Sequence, residues 1–186
     1  MCFSRVVLIG VCAGLCVRVS AGERMMPFSY GAEVGYGFQQ PYGTTPPSHV
    51  RMAFVHLQTI PTLAGSTEHG TSFQWIGELT LGQSIHPGSR FVVGISGVPR
   101  LNVHLAGRLG AFWDAGAGVS SFGLRKIPET KGWMQYKLES GIGVRWRWSE
   151  SMTLLARYSM IHFSNNDTSK PNRGLNLHTI LVGVNF

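Results

Sequence analysis

From Ser29 to Phe38 the chain alternates, with Tyr30, Ala32, Val34, Tyr36 and Phe38 falling on one side of an extended strand. The same period of two returns along most of the sequence. His49–Ile60 forms a second extended run, and Phe73–Ile85 keeps Phe73, Trp75, Leu79 and Leu81 in phase. Phe91–His104 predicts a fourth strand, bent near Gly97-Val98-Pro99, and Gly107–Phe122 a fifth with several small residues. In Met134–Trp148, Ile142, Val144, Trp146 and Trp148 share one face while Gly141, Gly143, Arg145 and Arg147 share the other. Met152–Ser164 and Leu177–Phe186 complete the series, the last carrying Ile180, Val182, Val184 and Phe186 on one face. Polar loops rich in Gly, Pro, Ser and Thr separate several of these runs, at Gln39–Ser48, Pro61–Thr71 and Gly123–Gly132.

Strands that are small or charged on one face and greasy on the other, with aromatics at their ends, are the pattern of transmembrane barrels. Eight such strands, with short turns at one end and longer loops at the other, predict an all-β, eight-stranded antiparallel transmembrane β-barrel. Closing the sheet removes the edges that lipid cannot satisfy. A soluble antiparallel sandwich or a lipocalin-like barrel shares the alternation. The greasy face, the girdle aromatics and the terminal Phe186, which resembles the signal read by outer-membrane assembly machinery, favour the membrane. Helices are not expected, because the 24 glycines are spread evenly and weaken helix interiors.

The first 21 residues read as a cleaved signal peptide: Arg5, the apolar run Val6–Val17, then Val19-Ser20-Ala21 as the cleavage triplet. That run is shorter than the roughly 20 residues a membrane helix needs. Residues 22–186 are expected to form a single barrel domain in the bacterial outer membrane. Cleavage would remove all three cysteines (Cys2, Cys12 and Cys16), excluding disulfides, thiol catalysis and cysteine-ligated metal from the mature chain. Losing Arg5 and Arg18 takes the formal charge from +7 to +5. For an exported chain that excess suits phosphorylated lipid rather than nucleic acid. A homodimer is left open.

The strongest candidate chemistry lies in "IHFSNNDTSKPNRGLN", Ile161–Asn176. Residues two apart on a strand point the same way. His162 and Ser164 therefore continue the lipid-facing series Leu154, Ala156, Tyr158, Met160. Counting back from Phe186 brings His178 and Asn176 onto the same outer wall, and the intervening loop lets Asn176 lie beside His162. Polar side chains on a hydrophobic wall are costly unless they bond one another or do chemistry. His162 as general base would activate Ser164, and Asn176 would fix the imidazole tautomer. A backbone N–H after Ser164, with Asn165 or Asn172, would hold an oxyanion. The plain alternative is that His, Ser and Asn are ordinary residues at a membrane boundary.

"RYSMIHFSNNDTSKPNRGLNLHTILVGVNF" resembles the C-terminal signature of the PagL-type lipid A 3-O-deacylases, and "ESGIGVRWRWSES" and "GAFWDAGAGVSSF" are similar to its preceding hairpins. The likeness is specific over about the last 55 residues and architectural before them. It implies an outer-membrane serine esterase that removes an ester-linked 3-hydroxyacyl chain from lipid A of lipopolysaccharide. No metal or other cofactor is implied, unlike the calcium-dependent outer-membrane phospholipases. Carried over, His162 is the base and Ser164 the nucleophile, with Asn165 and Asn172 near the oxyanion.

Two departures accompany the resemblance. Asn176 stands where the family pattern has a glutamate, and the His, Ser, Asn offsets instead look like those of outer-membrane phospholipase A. Phospholipid thus competes as a substrate, and a non-enzymatic structural or ligand-binding barrel is a third reading. Secondly, Asn166-Asp167 replaces the family's Ala-Gly, a change expected to affect the backbone by the oxyanion and to add negative charge. Elsewhere, Glu78 and Glu139 are expected to point into the lumen and pair with arginines such as Arg108, Arg145 or Arg157. The remaining histidines, His49, His56, His69, His86 and His104, read as interface or loop residues rather than metal ligands. His178 stands near Asn176. Arg125, Lys126, Lys131, Lys170 and Arg173 are loop bases that could meet lipid phosphates.

Overall fold

The structure, a computed structural model, describes residues 28–40, 49–61, 70–88, 90–122, 132–168, 170 and 173–186. The expected leader at 1–21, Asn172 and the bases Arg125, Lys126 and Lys131 lie outside them. Eight antiparallel strands close into a barrel in sequence order: β1 (Phe28–Gln39), β2 (Arg51–Pro61), β3 (Thr71–His86), β4 (Arg90–Ala106), β5 (Leu109–Phe122), β6 (Met134–Arg147), β7 (Thr153–Ser164) and β8 (Leu175–Asn185). β8 returns to β1 with Val182 opposite Val34 and His178 opposite Phe38. The ladder therefore has no free edge, which is what hydrocarbon surroundings require.

Alternation decides what faces where. In β7, Ala156, Tyr158 and Met160 are exposed, whereas Leu155, Arg157, Ser159, Ile161 and Phe163 are buried. Ile142, Val144 and Trp146 of β6 face outward with Trp148 beyond them, as their spacing predicts. The outer wall is almost wholly apolar, with Trp113, Trp133, Trp146, Trp148, Tyr136 and Phe186 exposed. This is a transmembrane surface. The connections depart from the expected asymmetry in two places. β3 and β4 are joined by residues 87–89 at the end that bears the long loops, and residues 62–70 join β2 and β3 at the opposite end. Near Gly97-Val98-Pro99, where a bend was expected, β4 runs on continuously with a gap in the β4–β5 ladder: Val98 and Pro99 are unpaired there although both pair with β3. Proline has no N–H to give to that second neighbour.

The interior is layered. Toward the end that carries the β7–β8 loop, Val50, Met52, Phe54, Val92, Ile161, Phe163, Leu175, Leu177 and Leu181 form a dry plug. Ile60, Ile76 and Val98 make a smaller cluster towards the other end. Between them lies a charge network. Arg157 reaches Glu33 at 3.1 Å, Glu139 at 2.7 Å, Asp114 at 3.4 Å and Glu78 at 3.5 Å. Lys137 Nζ donates to Glu78 and Glu139 at 2.8 and 2.7 Å, and Arg100 donates to Asp114 at 2.8 Å while lying over the Phe112 ring. Glu78 and Glu139 thus face the lumen as expected, and Arg157 is their arginine. Arg108 is not: it is exposed in the β4–β5 turn and donates to the Trp148 carbonyl at 3.2 Å. His56, expected at an interface or in a loop, is fully buried with Nδ1 3.0 Å from Glu78. It sits on the inner face of β2, in phase with Phe54 and Gln58.

Buried charges held this way are fragile to the removal of one partner. Arg157→Leu leaves four carboxylates short of a cation and is expected to destabilise the barrel by about 3–5 kcal/mol. Urea titration of the protein in lipid vesicles, followed by tryptophan fluorescence, checks this; a loss below about 1 kcal/mol contradicts the account.

Candidate active site

Register brings the outer-wall residues together. His162 on β7 is directly opposite Asn176 on β8, and His162 Nδ1 lies 2.6 Å from Asn176 Oδ1. An amide oxygen only accepts, so the imidazole donates from Nδ1 and keeps its Nε2 lone pair. Both residues are half-buried on the face shared with Tyr158 and Met160. Behind them, their neighbours Ile161, Phe163, Leu175 and Leu177 belong to the dry plug. The site is therefore mounted on a wall that is solid inside and lipid-facing outside.

Ser164 ends β7 on the same face, opposite Tyr136 of β6. Its Oγ accepts the backbone N–H of Asn166 at 3.2 Å. Asn166 and Asp167 both take positive φ, 51° and 60°, and Thr168 N–H closes onto the Asn165 carbonyl at 3.2 Å. Two successive left-handed residues bridged in this way match a type I′ turn. Asn and Asp tolerate that region better than other residues with a Cβ, so the pair supplies without glycine the conformation that glycine adopts most easily. Asn165 itself is turned inward and buried at the top of the plug. Its side chain does not share the outer face with Ser164.

Gly174 closes the loop against the histidine. Its φ is +74°, and a Cβ built there would fall 2.5 Å from His162 Cε1 and 3.3 Å from Nε2. The position needs glycine for both its backbone and its contact with the ring.

A second polar group lies on the same wall, and its partners were not legible in the spacing. His178, a diagonal neighbour of His162 across the β7–β8 pair, bonds Tyr158 Oη through Nδ1 and Gln40 Oε1 through Nε2 at 2.8 Å. Its ring stacks between Phe38 and Tyr158, with centroids 5.5 and 5.8 Å away. Parity put His178 on this face. Gln40 enters only because β1 closes onto β8, where its N–H donates to the Asn176 carbonyl at 3.0 Å.

Among the described residues, the group most like a metal set is Glu33, His56 and Glu78, inside the barrel on the other side of the wall. Its carboxylates are already engaged by Arg157 and Lys137. Lys170 and Arg173 are exposed in the loop above Ser164.

A family model described as "Lipid A 3-O-deacylase (PagL)" matches residues 56–185. The crystal structure of the outer membrane enzyme PagL matches with a TM-score of 0.59 at 16% identity, covering 83% of this chain and 97% of that one. That of Neisserial surface protein A matches with a TM-score of 0.64 at 11% identity, covering 86% of this chain and 96% of its own. At such identities these two likenesses concern the fold. No curated protein matches the sequence.

Gly174→Ala tests the packing of the site. The new methyl group is expected to push the imidazole aside and break the Nδ1–Asn176 bond. In NMR spectra the downfield imidazole N–H signal of His162 should disappear, while the barrel's amide dispersion persists. Retention of that signal contradicts the geometry.

Proposed function

The chain belongs to the lipid A 3-O-deacylase (PagL) family, and on that premise we propose that it is an outer-membrane esterase removing the 3-hydroxyacyl chain esterified to the glucosamine of lipid A. The observation that carries this reading is the 2.6 Å bond from His162 Nδ1 to Asn176. It leaves Nε2 as an acceptor on the same lipid-facing strand face as Ser164.

In this mechanism His162 Nε2 takes the Ser164 proton as Oγ attacks the acyl carbonyl carbon. The tetrahedral oxyanion is held by backbone N–H of Asn165, with Asn172 in support. Collapse breaks the bond to the sugar oxygen, which leaves as an alcohol with the proton from His162. Water, deprotonated by the same imidazole, then releases the fatty acid and restores the serine. The substrate approaches laterally, because the dyad opens onto the acyl layer and the interior behind it is plugged. Loop bases such as Lys170 and Arg173 suit the lipid's phosphates. The resemblance implies no cofactor, and each step uses groups of this chain, its lipid and water.

Asn176 fixes the tautomer but gives the imidazolium no opposite charge. In the boundary region, at an effective dielectric of about 20 to 80, a carboxylate at that distance would contribute about 1–4 kcal/mol. Asn176→Asp is therefore expected to raise kcat by roughly fivefold or more. Ser164→Ala and His162→Ala should each lower deacylation by at least about a thousandfold while the barrel stays folded. Mass spectrometry of lipid A incubated with the refolded protein reads the loss of one hydroxyacyl chain, and a parallel incubation with phospholipid tests the phospholipase reading. Activity surviving in both alanine variants excludes this dyad; a parent inert on both lipids favours a non-enzymatic barrel.

A further inference from the structure

Tyr158, His178 and Gln40 are polar groups on a wall where each unsatisfied donor or acceptor is costly. Two of the three are fully accounted for by the network. His178 donates from Nε2 to Gln40 Oε1, so its Nδ1 is an acceptor and takes the Tyr158 hydroxyl proton. Phe38 and Tyr158 clamp the ring between them, which fixes the direction of both bonds.

Gln40 is different. Its carbonyl oxygen is committed to His178, so its two amide N–H donors must point elsewhere. Its side chain is exposed at the end of β1, and its backbone N–H is bonded to the carbonyl of Asn176, the residue that holds His162. The donors are thus presented on the outer wall at the level of the His162–Asn176 pair, one strand away. At that depth, where headgroup meets acyl chain, the abundant acceptors are the carbonyl oxygens of ester and amide linkages.

We propose that Gln40 is a lipid-binding residue of this site, donating its side-chain N–H to the carbonyl oxygen of an acyl linkage neighbouring the one cleaved, with His178 and Tyr158 as the positioning residues that aim it. The proposal deepens the esterase reading and rests on its site. It selects lipids carrying several acyl chains close together over single-chain esters. A chain with one ester fills the cleavage position and leaves Gln40 without an acceptor.

The test measures kcat and KM for lipid A and for a single-chain ester, with parent, Gln40→Ala, Gln40→Glu and Tyr158→Phe. Loss of one hydrogen bond predicts a roughly five- to tenfold fall in the lipid A to single-chain ratio of kcat/KM for Gln40→Ala, borne mainly by KM. Gln40→Glu keeps an acceptor for His178 but has no donor, so it should match Gln40→Ala. Restoration of the parent ratio by Gln40→Glu would show that Gln40 serves only to satisfy His178, and would overturn the proposal. Tyr158→Phe should shift the ratio in the same direction by a smaller factor. Equilibrium binding of lipid A micelles to Ser164→Ala, with and without Gln40→Ala, separates this inference from the hydrolytic one. Weaker binding on loss of Gln40 supports the proposal even if the parent hydrolyses nothing. Equal binding, or none by either protein, refutes it even if the parent is an esterase.

Discussion

The parity of a closed antiparallel sheet governs everything else in this molecule. A slip of one residue in any strand would exchange its inner and outer faces. Here the exchange would be severe, because the faces differ so much in chemistry. Arg157 would move from four carboxylates into lipid, where an arginine near the bilayer midplane costs about 2–4 kcal/mol, and those carboxylates would lose their main cation. The network draws on β1, β3, β4, β5, β6 and β7, so it ties their mutual register together. Its stabilising effect is modest compared with an apolar filling of equal volume. A slip of any of these strands would break several of its pairs together.

That fixed register is what makes an outward-facing site possible on β7 and β8. His162 meets Asn176 only because Arg157 lies opposite Leu181 and Ile161 opposite Leu177 in the same ladder. The inward residues between the polar ones are Ile161, Phe163, Leu175 and Leu177, which share one buried cluster with Met52 and Phe54 of β2. A wall backed in this manner yields little when a polar pair on its outer side changes partners. The barrel thereby divides its labour by depth. Charges in the middle set register, a hydrophobic plug lies under the candidate site, and the outer wall carries the His162–Asn176 pair.

The strands and their faces were legible because alternation is a local property. The placement of His162, Ser164, Asn176 and His178 followed from counting by twos along β7 and β8. Contacts that depend on closure were not legible. Gln40 lies 138 residues before His178, and nothing near it in sequence signals that β1 will pair with β8. His56 was misassigned because histidine is common at interfaces, whereas here it lies on the inner face beside Glu78. Arg108 was misassigned for the opposite reason: a charge next to a strand looks like lumen filling until the strand ends at Ala106 and the residue falls in a turn. Asn166-Asp167 looked like the loss of a needed glycine. The two positive φ values show that short polar side chains can supply that backbone shape.

Asn176 follows from the same economy of charge. Among the described residues, the interior holds four buried carboxylates, Glu33, Glu78, Asp114 and Glu139, against Arg100, Lys137 and Arg157. Every one of those acids has a cation within reach. A carboxylate at 176 would stand on the apolar outer wall, with the His162 imidazole as its nearest polar neighbour. The penalty for burying an unpaired charge greatly exceeds that for a neutral amide already bonded to its histidine. Asparagine therefore keeps the imidazole oriented at low cost, and in the proposed mechanism it would forgo electrostatic help as the imidazolium forms. Under that mechanism, stability on the lipid wall and speed of proton transfer would place opposite demands on one position. On that reading, asparagine at 176 favours the resting structure.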